Sequence, residues 1–525
     1  MRRTALVVAL SFAAISVRAQ EHQHPAGEKL GTVHFQTSCS PAAGVEFDRG
    51  IALLHSFEFG PAIRGFNAAI AADSNCAMAR WGIALARWGN PMVANQRTPA
   101  ALDAGRQAAR AAAALKANAT PREQAFIDAV GKLYENYETV PQSARVVAYE
   151  KAMSDVATQH IGDTEASVFY AISLVASAAP TDKTYANQLR AGSMLEAMWA
   201  RQPQHPGLAH YIIHAYDVPA LAPQAKIAAQ RYAGIAPSAP HALHMPSHTF
   251  TRVGMWNESV ETNLKSAEAA KRDSSVGEQL HAMDYAVYAY LQMRKDAEAK
   301  KLMDMLPSIV PGYDVNAIRG AASGASGMYA VAAIPARYAI ERREWREAAA
   351  IQPKTSQHYH TDAISWFARA VGAAHTGDRA KARDAIDTLK VLSQRLIATN
   401  EPYWAEQVMI QELEARAALY VAEGSHTAAL ETMGQAVKRE DATEKAAVTP
   451  GPIVPAHEML GDMYFEMKRY RDALAEYAES MKKEPNRFRS LYGAMKSAQA
   501  IGNRKLQADY AAQIETLTGS KDWTK

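Results

Sequence analysis

The chain has 525 residues, 48% of them hydrophobic and 21% charged, with 57 lysines and arginines against 54 aspartates and glutamates. That length exceeds one simple core and suits several domains or one long repeat array. The composition excludes a disordered polypeptide, and the near-balance of charge gives no reason to expect a nucleic-acid partner.

The N-terminus predicts an export signal. Arg2 and Arg3 precede the apolar run TALVVALSFAAIS, and VRA before Gln20 fits cleavage after Ala19. The run is too short to span a bilayer, and no later stretch predicts a membrane helix. Cleavage removes Arg2, Arg3 and Arg18 and leaves 54 basic residues against 54 acidic. The expected location is therefore periplasmic or secreted. Residues 20–42 form a mature N-terminal segment whose His22 and His24 read as a disordered terminus, with a metal-catching tail as the alternative. Cys39 and Cys76 are the two cysteines. In an exported chain such a pair favours one disulfide, the alternatives being free thiols or a metal pair.

From residue 43 onward the pattern is helical, and strand signals are nearly absent. Near the C-terminus, LGDMYFEMKRYRDALAEYAESMKKEP sets Leu460, Gly461, Tyr464, Ala473, Tyr477 and Pro485 at the spacings of a tetratricopeptide repeat. Small residues let two antiparallel helices approach, aromatics fill the gaps between pairs, and the proline ends the second helix. The same grid fits Gly50, Ala62, Phe66 and Ala69, then Ala370, Ala382, Ile386 and Leu389, then Ala417, Ala429, Met433 and Ala436, with Ala336 and Ala348 suggesting one more copy. The fold class read from this is all-α, an α-solenoid of tetratricopeptide-like helix pairs. The divisions are a histidine-bearing solenoid over 43–318, middle repeats over 319–447 and C-terminal repeats over 448–525. GAASGASG at 320–327 and VTPGPIVP at 448–455 are the expected irregular joints.

The grid gives meaning to two histidine-rich stretches, PGLAHYIIHAYD from Pro206 and PHALHMPSHTF from Pro240. His210 and His244 are 34 residues apart, as are His214 and His248, so both pairs occupy equivalent places on the first helices of consecutive repeats. Pro206 and Pro240 suit the first helical turn, whereas Pro246 predicts a bend or widened turn that aims His248. Residues 206–239 and 240–273 agree at five of 34 positions, two of them these histidines, so the pairs persist where the repeats have otherwise diverged. First helices line the concave face of this architecture. Four imidazoles from two of them can then converge on one ion, with His281 as a fifth candidate ligand. Asp217, Glu278 and Asp284 are candidates to orient an imidazole or to act as ligand or base. His55 and His241 read as groove lining, His358–His360 as loop, and Trp81 and Trp88 as packing between helices. All-nitrogen ligation suits zinc, copper or iron. No glutamate follows the first histidine of either pair, which excludes the zinc-protease helix, and no nucleophile triad or phosphate loop is discernible.

SC early in the mature chain, LLHSFEF, CAMARWG, HPGLAHYIIHAYD and PHALHMPSHTF…RVGMW together resemble a broad group of bacterial secreted tetratricopeptide-repeat proteins. That resemblance implies an exported α-solenoid with these histidines in place, and it supplies no reaction or metal. Two functions stay open. One is a metal-dependent hydrolase or oxidoreductase acting on a small molecule in the concave groove. The other is a non-catalytic scaffold that binds a peptide or protein there.

Overall fold

In this computed structural model the described residues are 27–93, 97–322 and 324–522, so the signal-like segment 1–19 and His22 and His24 lie outside them. Among the described residues twelve antiparallel helix pairs follow one another, from Pro41–His55 with Phe59–Ala72 to Phe488–Ala500 with Arg504–Thr518. No strand occurs among the described residues, in agreement with the all-α, tetratricopeptide-like reading. The local causes are those the sequence suggests. Ser40, Thr98, Thr120 and Asp163 cap helix starts with a side-chain oxygen, and Pro41, Pro99, Pro121, Pro206 and Pro240 open helices at a position that needs no N–H. Within many pairs the turn between helices holds one left-handed residue. It is glycine at 254, 377, 424 and 502, Arg294, Arg343 and Lys468 elsewhere, and Phe57 in the first pair.

Small residues allow close approach where large side chains fill the gaps. A Cβ on Gly461 would lie 2.9 Å from the Tyr477 ring, which is itself buried between that helix and the next. Trp81 has the packing role expected of it, with Phe35, Phe126 and Phe169 at ring-centroid separations of 5.4–5.5 Å. Each such buried aromatic contributes about 1.5–3 kcal/mol from burial alone. Cys39 and Cys76 form a disulfide that ties the start of the first repeat to the second.

The stack curls until its end meets its middle. The Trp256 indole N–H donates to the Asn486 carbonyl at 2.9 Å, and the Arg487 guanidinium reaches the Tyr288 hydroxyl. Two irregular segments run inside this curl. Residues 313–322 pass the first pair, where the Gly60 N–H donates to the Arg319 carbonyl at 2.7 Å. Residues 442–455 cross the concave face, where Arg337 donates to the carbonyls of Gly451 and Pro452. The concave face at the histidines is therefore covered, with the Tyr285 hydroxyl bonded to the carbonyls of Ala447 and Thr449. Tyr359 already begins a helix, so His360 is a buried helical residue rather than the loop residue the sequence suggested.

Candidate metal centre

Helix Pro206–Ala215 begins with a proline and carries His210 and His214 four residues apart on its inner side. The Gly207 backbone leaves room for the first repeat, since a Cβ there would lie 2.6 Å from His55 Nδ1. In the next repeat Pro246 divides the first helix into Pro240–His244 and Pro246–Arg252. The His248 N–H then bonds the Met245 carbonyl at 3.1 Å instead of the carbonyl one full turn back. The expected distortion is present at the expected residue.

The histidines gather as two triads. His210, His214 and His241 form one, and His244, His248 and His281 form the other; within each, candidate ligand nitrogens lie within 4.8 Å of one another. All six side chains are buried. His241, expected to line the groove, completes the first triad. His281, on helix Val276–Gln292, completes the second. The triads adjoin, with ring centroids 5.8 Å apart between His214 and His248 and 5.7 Å apart between His241 and His244.

Hydrogen bonds fix several of the rings. The Nδ1–H of His210 donates to the His55 carbonyl at 2.6 Å, which leaves Nε2 bare and without a partner. His248 Nδ1 lies 2.8 Å from an oxygen of Asp217, a carboxylate that Lys445 and Arg252 hold well below its usual range against the effect of burial. An ionised carboxylate only accepts, so His248 carries its proton on Nδ1 and Nε2 is bare. His244 Nδ1 lies 2.6 Å from Asn263 Oδ1, and the Asn263 amide nitrogen is committed to the Ser259 carbonyl at 2.7 Å. His244 is thus also protonated on Nδ1 and bare on Nε2. The two bare nitrogens face each other at 3.0 Å. Burial pushes His244 well below its ordinary pKa and His248 down to about 4, so no proton bridges them near neutrality. Two lone pairs at that distance repel unless a cation lies between them. Two ligands of one ion, each bonded at about 2.0–2.1 Å, meet that separation.

The surroundings close both triads. The Phe57 ring sits edge-on to His210 at 4.4 Å and stacks near His214 and His241 at 5.5 and 5.7 Å. Its φ of 55° is a costly conformation for a bulky residue. Tyr285 covers the second triad with its ring 4.7 Å from that of His244, and its hydroxyl lies 3.0 Å from the carbonyls of Ala447 and Thr449 in the covering segment.

The candidate orienting residues fare differently. Asp217 positions His248, and a Glu278 oxygen stands 3.6 Å from His241 Nδ1. Asp284 does not take the orienting role suggested for it; it pairs with Arg337, the residue that grips the covering segment. His55 is buried away from the triads' centre, with Nε2 2.9 Å from Glu165 and Nδ1 3.1 Å from the Tyr211 hydroxyl. Glu165 also takes the His205 Nε2 at 3.0 Å, while His205 Nδ1 accepts the Leu208 N–H. This third group is close enough to gather round an ion, yet every nitrogen in it already has a partner. It reads as a buttress for helix Pro206–Ala215 and for the His55 carbonyl. Sequence reasoning missed Asn263, Glu165, His205 and Lys445. His205 caps helix Pro206–Ala215, a place that histidine does not mark in a sequence.

No family model matches the chain, and no curated protein matches it. Similar solved structures include the human IFIT1 dimer with m7Gppp-AAAA, 11% identical, TM-score 0.39, covering 85% of this chain and 90% of that one. Yeast Tom70 is 12% identical with a TM-score of 0.33, covering 91% and 99%. The APC/C hetero-tetramer Cut9–Hcn1 is 10% identical with a TM-score of 0.31, covering 92% and 95%. The likeness is one of stacked helices, and nothing about the histidines follows from it. Among the described residues no helix is long and apolar enough to cross a membrane.

Proposed function

We propose that the chain is an exported metalloprotein that holds two transition-metal ions side by side, one in each histidine triad, and that the pair acts on a small molecule. The observation that carries this reading is the facing pair of bare Nε2 atoms of His244 and His248, 3.0 Å apart in a buried, proton-poor setting. Three protein ligands per ion leave an open coordination position, the arrangement of catalytic rather than closed structural sites. Neutral imidazoles suit zinc, copper or iron. Such a pair could serve metal-assisted hydrolysis or oxygen-dependent oxidation, and the activity screens below distinguish the two. Export is supported by the signal-like N-terminus and by the Cys39–Cys76 pairing. A peptide-binding scaffold is disfavoured at this place because residues 442–455 occupy the concave face over the histidines.

The test is elemental analysis of the mature protein, purified without a histidine tag, beside a His214→Ala/His248→Ala variant. About two equivalents of one metal in the wild type, lost in the folded variant, is the expected result, followed by oxygen-uptake and hydrolysis screens on the loaded protein. No metal bound after incubation with zinc, copper and iron in turn would overturn the reading.

A further inference from the structure

A pocket that the metal reading does not use reaches the first triad from the side away from the covering segment. It lies among helices Ala77–Trp88, Gln142–Gln159 and Thr164–Ser177 and holds about 50 Å³ of free space. That is several times what one buried water needs. Gly89, Pro91, Val146 and Ala176 are only partly buried and mark its mouth, whereas Phe57 and Tyr211 in its wall are buried at 2% exposure. Phe57 is the partition. The ring that lines the pocket is the ring that stands 4.4 Å from His210, 5.5 Å from His214 and 5.7 Å from His241.

The wall states what it can hold. None of its fifteen residues is charged, and six are aromatic: Phe57, Phe59, Trp88, Tyr149, Phe169 and Tyr211. Arg97 and Arg145 lie over Trp88 at 4.5 and 5.4 Å, but neither is part of the wall, and both donate to backbone carbonyls. The Ser173 hydroxyl is spent on the Tyr170 carbonyl at 2.7 Å, and the Tyr211 hydroxyl on His55 Nδ1 at 3.1 Å. A charged molecule entering here loses its hydration and gains no counter-charge. An uncharged ring loses little and gains edge-on and stacked contacts on several sides.

The backbone adds a second, independent observation. Elsewhere the left-handed turn residue is a glycine, or Arg294, Arg343 or Lys468, none of them fully buried. In the first pair alone it is a buried phenylalanine, at φ 55°. Strain held at one such position, where a cheaper residue serves in other repeats, points to a use for the side chain.

We infer that this pocket is the substrate site of the first triad, and that it takes a small uncharged molecule with one aromatic ring, seated against Phe57. The inference rests on the metal reading for what the ring meets beyond Phe57, and not for whether the ring binds.

The test is fluorine NMR of the full-length mature chain, metal-free, with fluorobenzene, in parallel with 4-fluorobenzoate and 4-fluorobenzylammonium. Saturable binding of fluorobenzene is expected, at least tenfold tighter than either charged analogue. Ala176→Phe, which fills the mouth from a partly exposed position, should weaken it at least tenfold; should that variant fail to fold, Val146→Phe should do the same. In cobalt(II)-loaded protein the bound fluorine signal should broaden well beyond its width in zinc-loaded protein. No binding of fluorobenzene, equal binding of the charged analogues, or binding indifferent to the mouth substitutions would overturn the assignment. So would an unbroadened signal in protein shown to carry cobalt. Fluorobenzene bound by a chain that takes up no metal would support the pocket and overturn the metal reading alone.

Discussion

Asp217 is the residue where the candidate metal site, the broken helix and the covering segment meet, and its replacement by asparagine tests the site's electrostatics. One carboxylate oxygen serves His248 Nδ1 at 2.8 Å and Lys445 Nζ at 3.3 Å, and the other serves Arg252 Nε at 2.9 Å. Arg252 and Lys445 are both buried, and among the described groups Asp217 is the strongest opposing charge on each. Removing one partner of a buried ion pair costs about 3–5 kcal/mol. Asparagine keeps one acceptor, worth about 1 kcal/mol, so Asp217→Asn should destabilise metal-free protein by about 2–4 kcal/mol. The sign of the pH dependence follows from Lys445, which burial pushes down to about 8 even with Asp217 present. A lysine whose folded pKa lies below its unfolded value makes stability rise with pH between the two. Without Asp217 that window opens lower, so the penalty should be largest near pH 6 and shrink towards pH 9. Loss of the group that orients His248 should also weaken metal binding in the second triad by about 10–100-fold. Urea unfolding at several pH values and a metal titration check both parts, and Lys445→Met added to Asp217→Asn should recover part of the loss. An asparagine variant as stable as the wild type, with unchanged metal affinity, would refute this account of the site.

If the triads are separate sites, His241→Phe should lower metal content from two equivalents to one, and His281→Phe should do the same; release of both ions by either single change would argue for one shared site. Replacing Cys39 and Cys76 with serine should cost about 3–4 kcal/mol in stability by the loop-entropy estimate, measured by chemical unfolding. Phe57→Gly relieves roughly 1–2 kcal/mol of left-handed backbone cost but removes a buried ring worth about 3–5 kcal/mol, so net destabilisation and faster metal release to a chelator are expected, whereas a gain in stability would contradict the role given to the ring. His457 is raised to about 9 by Asp441 and Glu476, which outweigh burial. Its stabilisation should be complete below about 6.5 and fade as pH rises through about 9, a slope that His457→Gln should flatten.

The helix pairs and the register of the histidines were legible because each depends on local spacing. Thirty-four residues separate His210 from His244 and His214 from His248, and the repeat length carries one first helix onto the next. How the rings would be shared was not legible. His241 precedes His244 by three residues, and three residues at 3.6 per turn leave about 60° between two side chains on a helix. That offset lets His241 turn back to His210 and His214 while His244 faces forward to His281. Pro246 then resets the helix so that His248 approaches His244 through its Nε2. Asn263, on the second helix of its repeat, meets His244 only because the pair packs antiparallel, and no motif announces it. The covering segment was legible as an irregular joint at 448–455, but its course depends on Arg337 and Tyr285, far away in the chain.

The same reasoning bears on how a repeat stack could hold the proposed metal pair in a buried place. Contacts between neighbouring repeats alone leave the inner face of a solenoid wet, and wet imidazoles near their ordinary pKa compete poorly for metal against protons. Here the curl brings the eleventh and twelfth pairs against the sixth and seventh, and residues 442–455 close the face. Closure removes water, burial keeps the imidazoles neutral, and neutral imidazoles are the metal-binding form. The ion pairs that fasten the closure, Asp217 with Lys445 and Asp284 with Arg337, stand on the histidine-bearing repeats themselves or one turn from them. Closure of the face and burial of the proposed metal site therefore share the same ion pairs. A chain truncated before residue 442 should fold its first repeats yet leave the second triad open to solvent and weak for metal.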